Sequence, residues 1–150
     1  ISKLRALQVG NEKRKDNEID HFIEKLFEPY FQEILKQGEK ENKNYNKVAK
    51  TCLSYFNDIK NNLTCVYEVL KKGGEYHMII GDNTIKKIDI PTHKLIAEIA
   101  KEVGFDWFGY YKYAIKDHRT SIPRKDNGGK INYEFVLMLR KWFTVTQTHF

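Results

Sequence analysis

The 150-residue sequence holds only two cysteines and three prolines, and no apolar run approaches the roughly 20 residues that a membrane span requires. So little cysteine excludes a disulfide-built fold and a cysteine-rich metal module. Cys52 and Cys65 fall within one predicted helix, where a rise of ~1.5 Å per residue sets them about 20 Å apart, too far to bridge. They read as reduced thiols. With no visible signal peptide, the expectation is a cytoplasmic protein without membrane contact. Also missing are HExxH, paired CxxC, GxSxG and the phosphate-cradling GxxxxGK[ST]. The five histidines, His21, His77, His93, His118 and His149, stand without metal-ligand spacing, so no metal site is expected.

There is enough apolar material for a packed domain. Hydrophobic residues make up 41% and aromatics 13%, which argues against disorder despite 31% charge, and the length suits one domain with a real core. Ile19, Phe22, Ile23, Leu26, Phe27, Tyr30, Phe31, Ile34 and Leu35 recur at spacings of three and four, which predicts an amphipathic helix. Asp16 or Asn17 is expected to cap it, Pro29 to kink or divide it, and Gly38 to end it. Residues 1–15 read as a short helix and a polar, basic link. A second helix is predicted over 46–71, with Val48, Cys52, Phe56, Ile59, Leu63, Val66 and Leu70 on its stripe. Asn61-Asn62 loosens it, and Gly73 closes it in the left-handed conformation.

Residues 75–80 read as a strand buried on both faces, 81–83 as a turn and 84–90 as a ragged extended segment. Pro91 and Thr92 open a helix whose buried side is Leu95, Ile96, Ile99 and Val103. Gly104 closes it, with Phe105 as the accompanying hydrophobic contact. Residues 106–115 form an aromatic strand, 116–130 a polar loop with Pro123 and Gly128-Gly129, and 131–141 a last strand. The fold class is therefore α/β, one domain: a helical region over 1–44, then an α/β unit over 45–141. The strand–helix–strand unit favours a parallel pair, and the final loop-linked pair an antiparallel one.

Charge is unevenly spread. Residues 110–142 carry eight lysines and arginines against three carboxylates, which is +5 of the chain's +6, whereas residues 12–43 sum to −2. Lys112, Lys116, His118, Arg119, Arg124, Lys125 and Lys130, interleaved with Tyr110, Tyr111 and Tyr113, suit phosphate contacts plus stacking, so DNA is the expected partner. The alternative is an ordinary solvated loop in a lysine-rich chain.

The stretch Leu70-Lys71-Lys72-Gly73-Gly74, followed by an apolar strand, resembles the LKPGG turn before the fifth sheet strand of class I methyltransferases that use S-adenosylmethionine, with Lys72 where proline is usual. Ile79-Ile80-Gly81-Asp82, the helix start at Ile90-Pro91 and the strand entry at Gly104-Phe105 follow in the same order. The run Glu134-Phe135-Val136-Leu137-Met138-Leu139-Arg140-Lys141 is similar to the closing strand of DNA methyltransferases that modify exocyclic amino groups of cytosine or adenine. The resemblance implies a partial Rossmann-like methyltransferase sheet preceded by long helices, methyl transfer in a restriction–modification setting, and S-adenosylmethionine as cofactor of the intact enzyme. The family's glycine-rich loop and Asp/Ser-Pro-Pro-Tyr motif, which hold the cofactor and the flipped base, do not occur in the sequence. The chain is thus expected to be the carboxy-terminal half of such an enzyme, needing an N-terminal half or a homo-oligomer and holding no cofactor alone. Two other classes stay open: a non-enzymatic nucleic-acid-binding module, and a helical interaction subunit docking through the Ile19 to Leu35 stripe.

Overall fold

The computed structural model describes residues 18–116 and 131–142. Helix α1 spans His21–Lys40 and helix α2 Asn46–Val69; strand β1, Glu75–Gly81, follows, and then the short strands β2, Asn83–Ile85, and β3, Ile88–Ile90. Helix α3, Thr92–Val103, leads into β4, Phe105–Ala114, and β5, Tyr133–Lys141, closes the series. The α/β class, the two long leading helices and the antiparallel last pair are as the sequence predicts.

Helix α1 starts one turn later than expected. Asp20, rather than Asp16 or Asn17, is its N-cap, and its Oδ1 accepts from the Phe22 N–H at 3.0 Å. Asp20 is tied sideways as well, with Lys60 Nζ at 2.7 Å and its own N–H donating to Asn57 Oδ1 at 3.0 Å. The Lys60 ammonium holds the Asp20 carboxyl below its usual range. Pro29 lies inside one unbroken helix, which corrects the expected division. It sits on the exposed side, where the bond it deletes faces water, while Ile23, Phe27 and Ile34 hold the opposite side in the core. Gly38 also lies inside the helix, since the return loop presses against it: a Cβ there would meet Lys43 O at 2.6 Å.

Helix α2 runs without a break through Asn61-Asn62, whose side chains are exposed while Ile59 and Leu63 anchor the buried side. It ends at Val69, four residues before Gly73, so Gly73 is the left-handed residue (φ +74) of the following turn and not the helix cap. That turn is welded to the far end of β5. Gly73 N–H donates to Lys141 O at 2.7 Å, and Lys141 N–H donates to Gly74 O at 3.0 Å. The Lys141 ammonium donates to the α2 carbonyl of Tyr67 at 2.5 Å, meeting a helix C-terminus that needs cations.

The sheet order is β1-β5-β4, with β5 antiparallel to both neighbours. β1 and β4 therefore point the same way, but the expected parallel pair does not form, because β5 takes the ladder bonds of both. β5 has the side chains for that central place: Phe135, Leu137 and Leu139 are buried. β1 is not buried on both faces, either. Its exposed and partly covered residues alternate, with Ile79 67% exposed, since α3 covers only one side of the sheet. The ragged segment over 84–90 is the β2–β3 hairpin.

The molecule is layered as sheet, α3, then α2 with α1 against it. Helix α3 lies in the middle and is buried through His93, Leu95, Ile96, Ala97, Ile99 and Ala100, leaving Lys94, Glu98, Lys101 and Glu102 as an exposed stripe. Full burial of Ile96 and Ile99 contributes about 1.5–3 kcal/mol each. Gly104 caps α3 as expected, at φ +112, and Phe105 packs edge-on to Tyr67 with ring centroids 5.0 Å apart. No helix of the described residues is long and apolar enough to cross a membrane.

Candidate nucleic-acid interface

Because β1 and β4 are parallel, their carboxyl ends lie at the same edge of the sheet, on either side of the start of β5 and beside the amino end of α3. Ligand sites of open α/β sheets form at such ends. Here they enclose a cleft of about 470 Å³, lined among others by Tyr30, Asp82, Asp89, Lys112, Tyr133 and Phe135.

One wall is organised by Asp82, the first residue past β1. Its Oδ1 lies 2.6 Å from His93 Nδ1 and also accepts the His93 backbone N–H at 3.2 Å, so a single carboxylate oxygen caps α3 and orients an imidazole. His93 is buried, its ring stacked on Phe135 at 3.8 Å and nearly coplanar (3°), with Tyr110 edge-on at 5.2 Å. Trp107 stacks on Tyr110 at 6.3 Å, and the Lys101 ammonium lies 4.9 Å over the Trp107 ring. The other wall carries Lys112, whose ammonium is 3.8 Å over the Tyr133 ring and 5.9 Å from that of Phe135. The cleft thus offers a cation and aromatic faces on one side, and carboxylate and amide acceptors on the other.

Of the seven residues predicted to face nucleic acid, Lys112 sits at the carboxyl end of β4 and Lys116 is exposed just beyond it. His118, Arg119, Arg124, Lys125 and Lys130 lie outside the described residues. The segment that carries them leaves and re-enters the fold beside the cleft: Ile115 N–H donates to Asn132 O at 2.9 Å, and Ile131 and Asn132 are cleft residues. Sequence reasoning missed Asp82, His93, Tyr133 and Phe135. Gly81-Asp82 was legible only as a bend and His93 only as a histidine near a helix start; the register that joins them to Phe135 has no local signature.

Neither cysteine lines the cleft. Burial pushes the Cys52 thiol up to about 11, which makes it inert, and Cys65 is exposed on α2. Among the described residues no group of three or more histidine, cysteine, aspartate or glutamate side chains is placed to hold a metal ion.

No protein-family model matches the chain, and no curated protein sequence matches it. Two solved structures are similar to part of it. Both are of TTHA0409 from Thermus thermophilus, named as a candidate DNA modification methylase. One is a selenomethionine derivative, 20% identical over 63% of this chain, and the other is a complex with S-adenosyl-L-methionine, 18% identical over 65%. The TM-score is 0.46 in each case, and the match spans about two fifths of the Thermus chain (40% and 42%).

Proposed function

We propose that this chain is the carboxy-terminal portion of a site-specific DNA methyltransferase that moves a methyl group from S-adenosylmethionine to an exocyclic base amino group. The observation that carries the reading is the ordered series from Leu70 to Lys141. The Gly-Gly turn, the strand ending in Gly-Asp, the helix after Ile90-Pro91, the Gly104-Phe105 entry and the closing strand stand in the family's order, and they fold as one sheet around that closing strand. The cofactor supplies the transferable methyl group. Its glycine-rich cradle and the acceptors for the target amino group belong to an N-terminal half, so no catalytic or cofactor-binding residue is assigned to this chain. What this chain brings is three strands, α3 and a DNA-facing end.

At that end Lys112 and Lys116, with His118, Arg119, Arg124, Lys125 and Lys130, meet backbone phosphates, while the aromatic wall of the cleft offers faces for stacking. Titrating a labelled duplex with the chain at about 50 and 200 mM salt tests this. Replacing Arg119 and Arg124 together by alanine is expected to weaken binding and lower the salt slope by about 2, and an unchanged slope overturns the placement. Calorimetry of the 150-residue chain with S-adenosylmethionine is expected to register no micromolar site; such a site would overturn the assignment of the cofactor to the other half.

The missing acceptor motifs also favour a second reading, a nucleic-acid-binding module without catalysis. The coding sequence upstream of Ile1 separates the two. A glycine-rich strand-loop and a Pro-Pro-Tyr-type motif there support the methyltransferase.

A further inference from the structure

The face of the sheet turned away from α3 is apolar along its middle. Ile79, Val136 and Tyr111 are partners across the three strands, and beside them His77, Met138 and Gly109 form the next row. Tyr111 is 60% exposed, and Ile79, Phe108 and Tyr113 stand open with it. No described helix packs over this contiguous apolar row, and a row of this kind marks an interaction surface. The two ends of the face are charged differently. Glu134 lies at one end between Gly81 and Tyr113, and Arg140 at the other between Glu75 and Asp106. With three carboxylates against one arginine, this face is unsuited to a polyanion.

We propose that this face docks a second copy of the chain, sheet on sheet, about a two-fold axis that runs across the strands. The argument is self-complementarity, which such an interface demands. Reversing β5 about its midpoint at Leu137 lays Val136 over Met138 of the partner subunit and Glu134 over Arg140 of the partner subunit. Arg140 already pairs with Glu75 at 2.5 Å, yet its side chain is 41% exposed, so donors remain for a second carboxylate. Three strands spaced ~4.8 Å apart and about eight residues long give a footprint of roughly 400 Å² per copy. That lies in the range of weak, reversible association.

Sedimentation of the full 150-residue chain from about 1 to 200 μM tests the proposal. A reversible monomer–dimer equilibrium is expected, and a monomer at every concentration overturns it. Ile79→Lys and Tyr111→Lys change only exposed side chains and are each expected to raise the dimer Kd about tenfold or more, with circular dichroism unchanged. A dimer indifferent to both rules this face out. Arg140→Glu and Glu134→Arg are each expected to weaken the dimer, and the two combined to restore it. These residues are six apart on one strand, ~20 Å, so they cannot meet within a chain and rescue reports a second copy. Weakening without rescue overturns the two-fold arrangement.

Discussion

Gly104 shows how much one residue can carry when it must be both small and left-handed. At φ +112 it ends α3, and a Cβ would lie 3.3 Å from the Tyr67 ring and hydroxyl, the same ring that Phe105 meets edge-on. Gly104→Ala is expected to cost about 1–3 kcal/mol, read as a lower urea midpoint at unchanged slope. This position was legible in the sequence, because the cue is local: a glycine after the last apolar position of a helical stripe. Asp82 was not. Its importance comes from His93, eleven residues on, and Phe135, forty-two further, which only the folded register brings together. Asp82→Ala strips the partner from a buried imidazole and a helix N-terminal N–H. The expected loss is about 1–3 kcal/mol, with denaturation as the measure.

Among the elements, the junction of α1, α2 and the β2–β3 hairpin turns on Glu41. Its carboxylate accepts from Tyr45 Oη at 2.6 Å and Gln37 Nε2 at 2.7 Å, and Lys87 Nζ reaches it from the hairpin tip at 3.0 Å. These donors, Tyr45 foremost, pull its pKa from 4.5 down to about 2. Because the folded value lies below the unfolded one, the stabilisation is complete above pH 4.5 and is lost as pH falls toward 2. Wild type is therefore expected to exceed Glu41→Gln in stability at neutral pH. The gap should close between about pH 4.5 and 2 in paired denaturant titrations, and a gap constant with pH would refute the assignment. The long helices and the main strands were legible from their periods. The hairpin was not, since its turn residues Lys86 and Lys87 both take positive φ (+51 and +68), where Asn-Gly is the usual signal. Tertiary contacts hold them there: Lys86 over the Tyr45 ring at 4.7 Å, and Lys87 on Glu41.

For the whole molecule, stability concentrates in β5, whose Leu137 and Leu139 are fully buried beneath α3. Leu137→Ala is expected to cost about 2–5 kcal/mol. Since sheet, α3 and α2 share one core, far-ultraviolet dichroism and tryptophan fluorescence should still lose structure together, at a lower denaturant midpoint. The order of layers could not be foreseen from the chain, because nothing in the β1–α3–β4 pattern announces that a later strand will separate the two parallel ones. That separation also decides what the cleft is made of: the carboxyl ends of β1 and β4 stand apart, with Tyr133 and Phe135 of β5 filling the gap between them.

The central strand is also the last of the described strands to be synthesised. β1 is finished at residue 81, but the β5 strand it pairs with is complete only at residue 141, so a ribosome adding about 5–20 residues per second leaves β1 without that partner for roughly 3–12 s. β4 waits for the same strand. During translation, then, β1 and β4 have helices beside them before the strand that joins them exists, and their union is a late event that begins when β5 arrives and zips both neighbours at once.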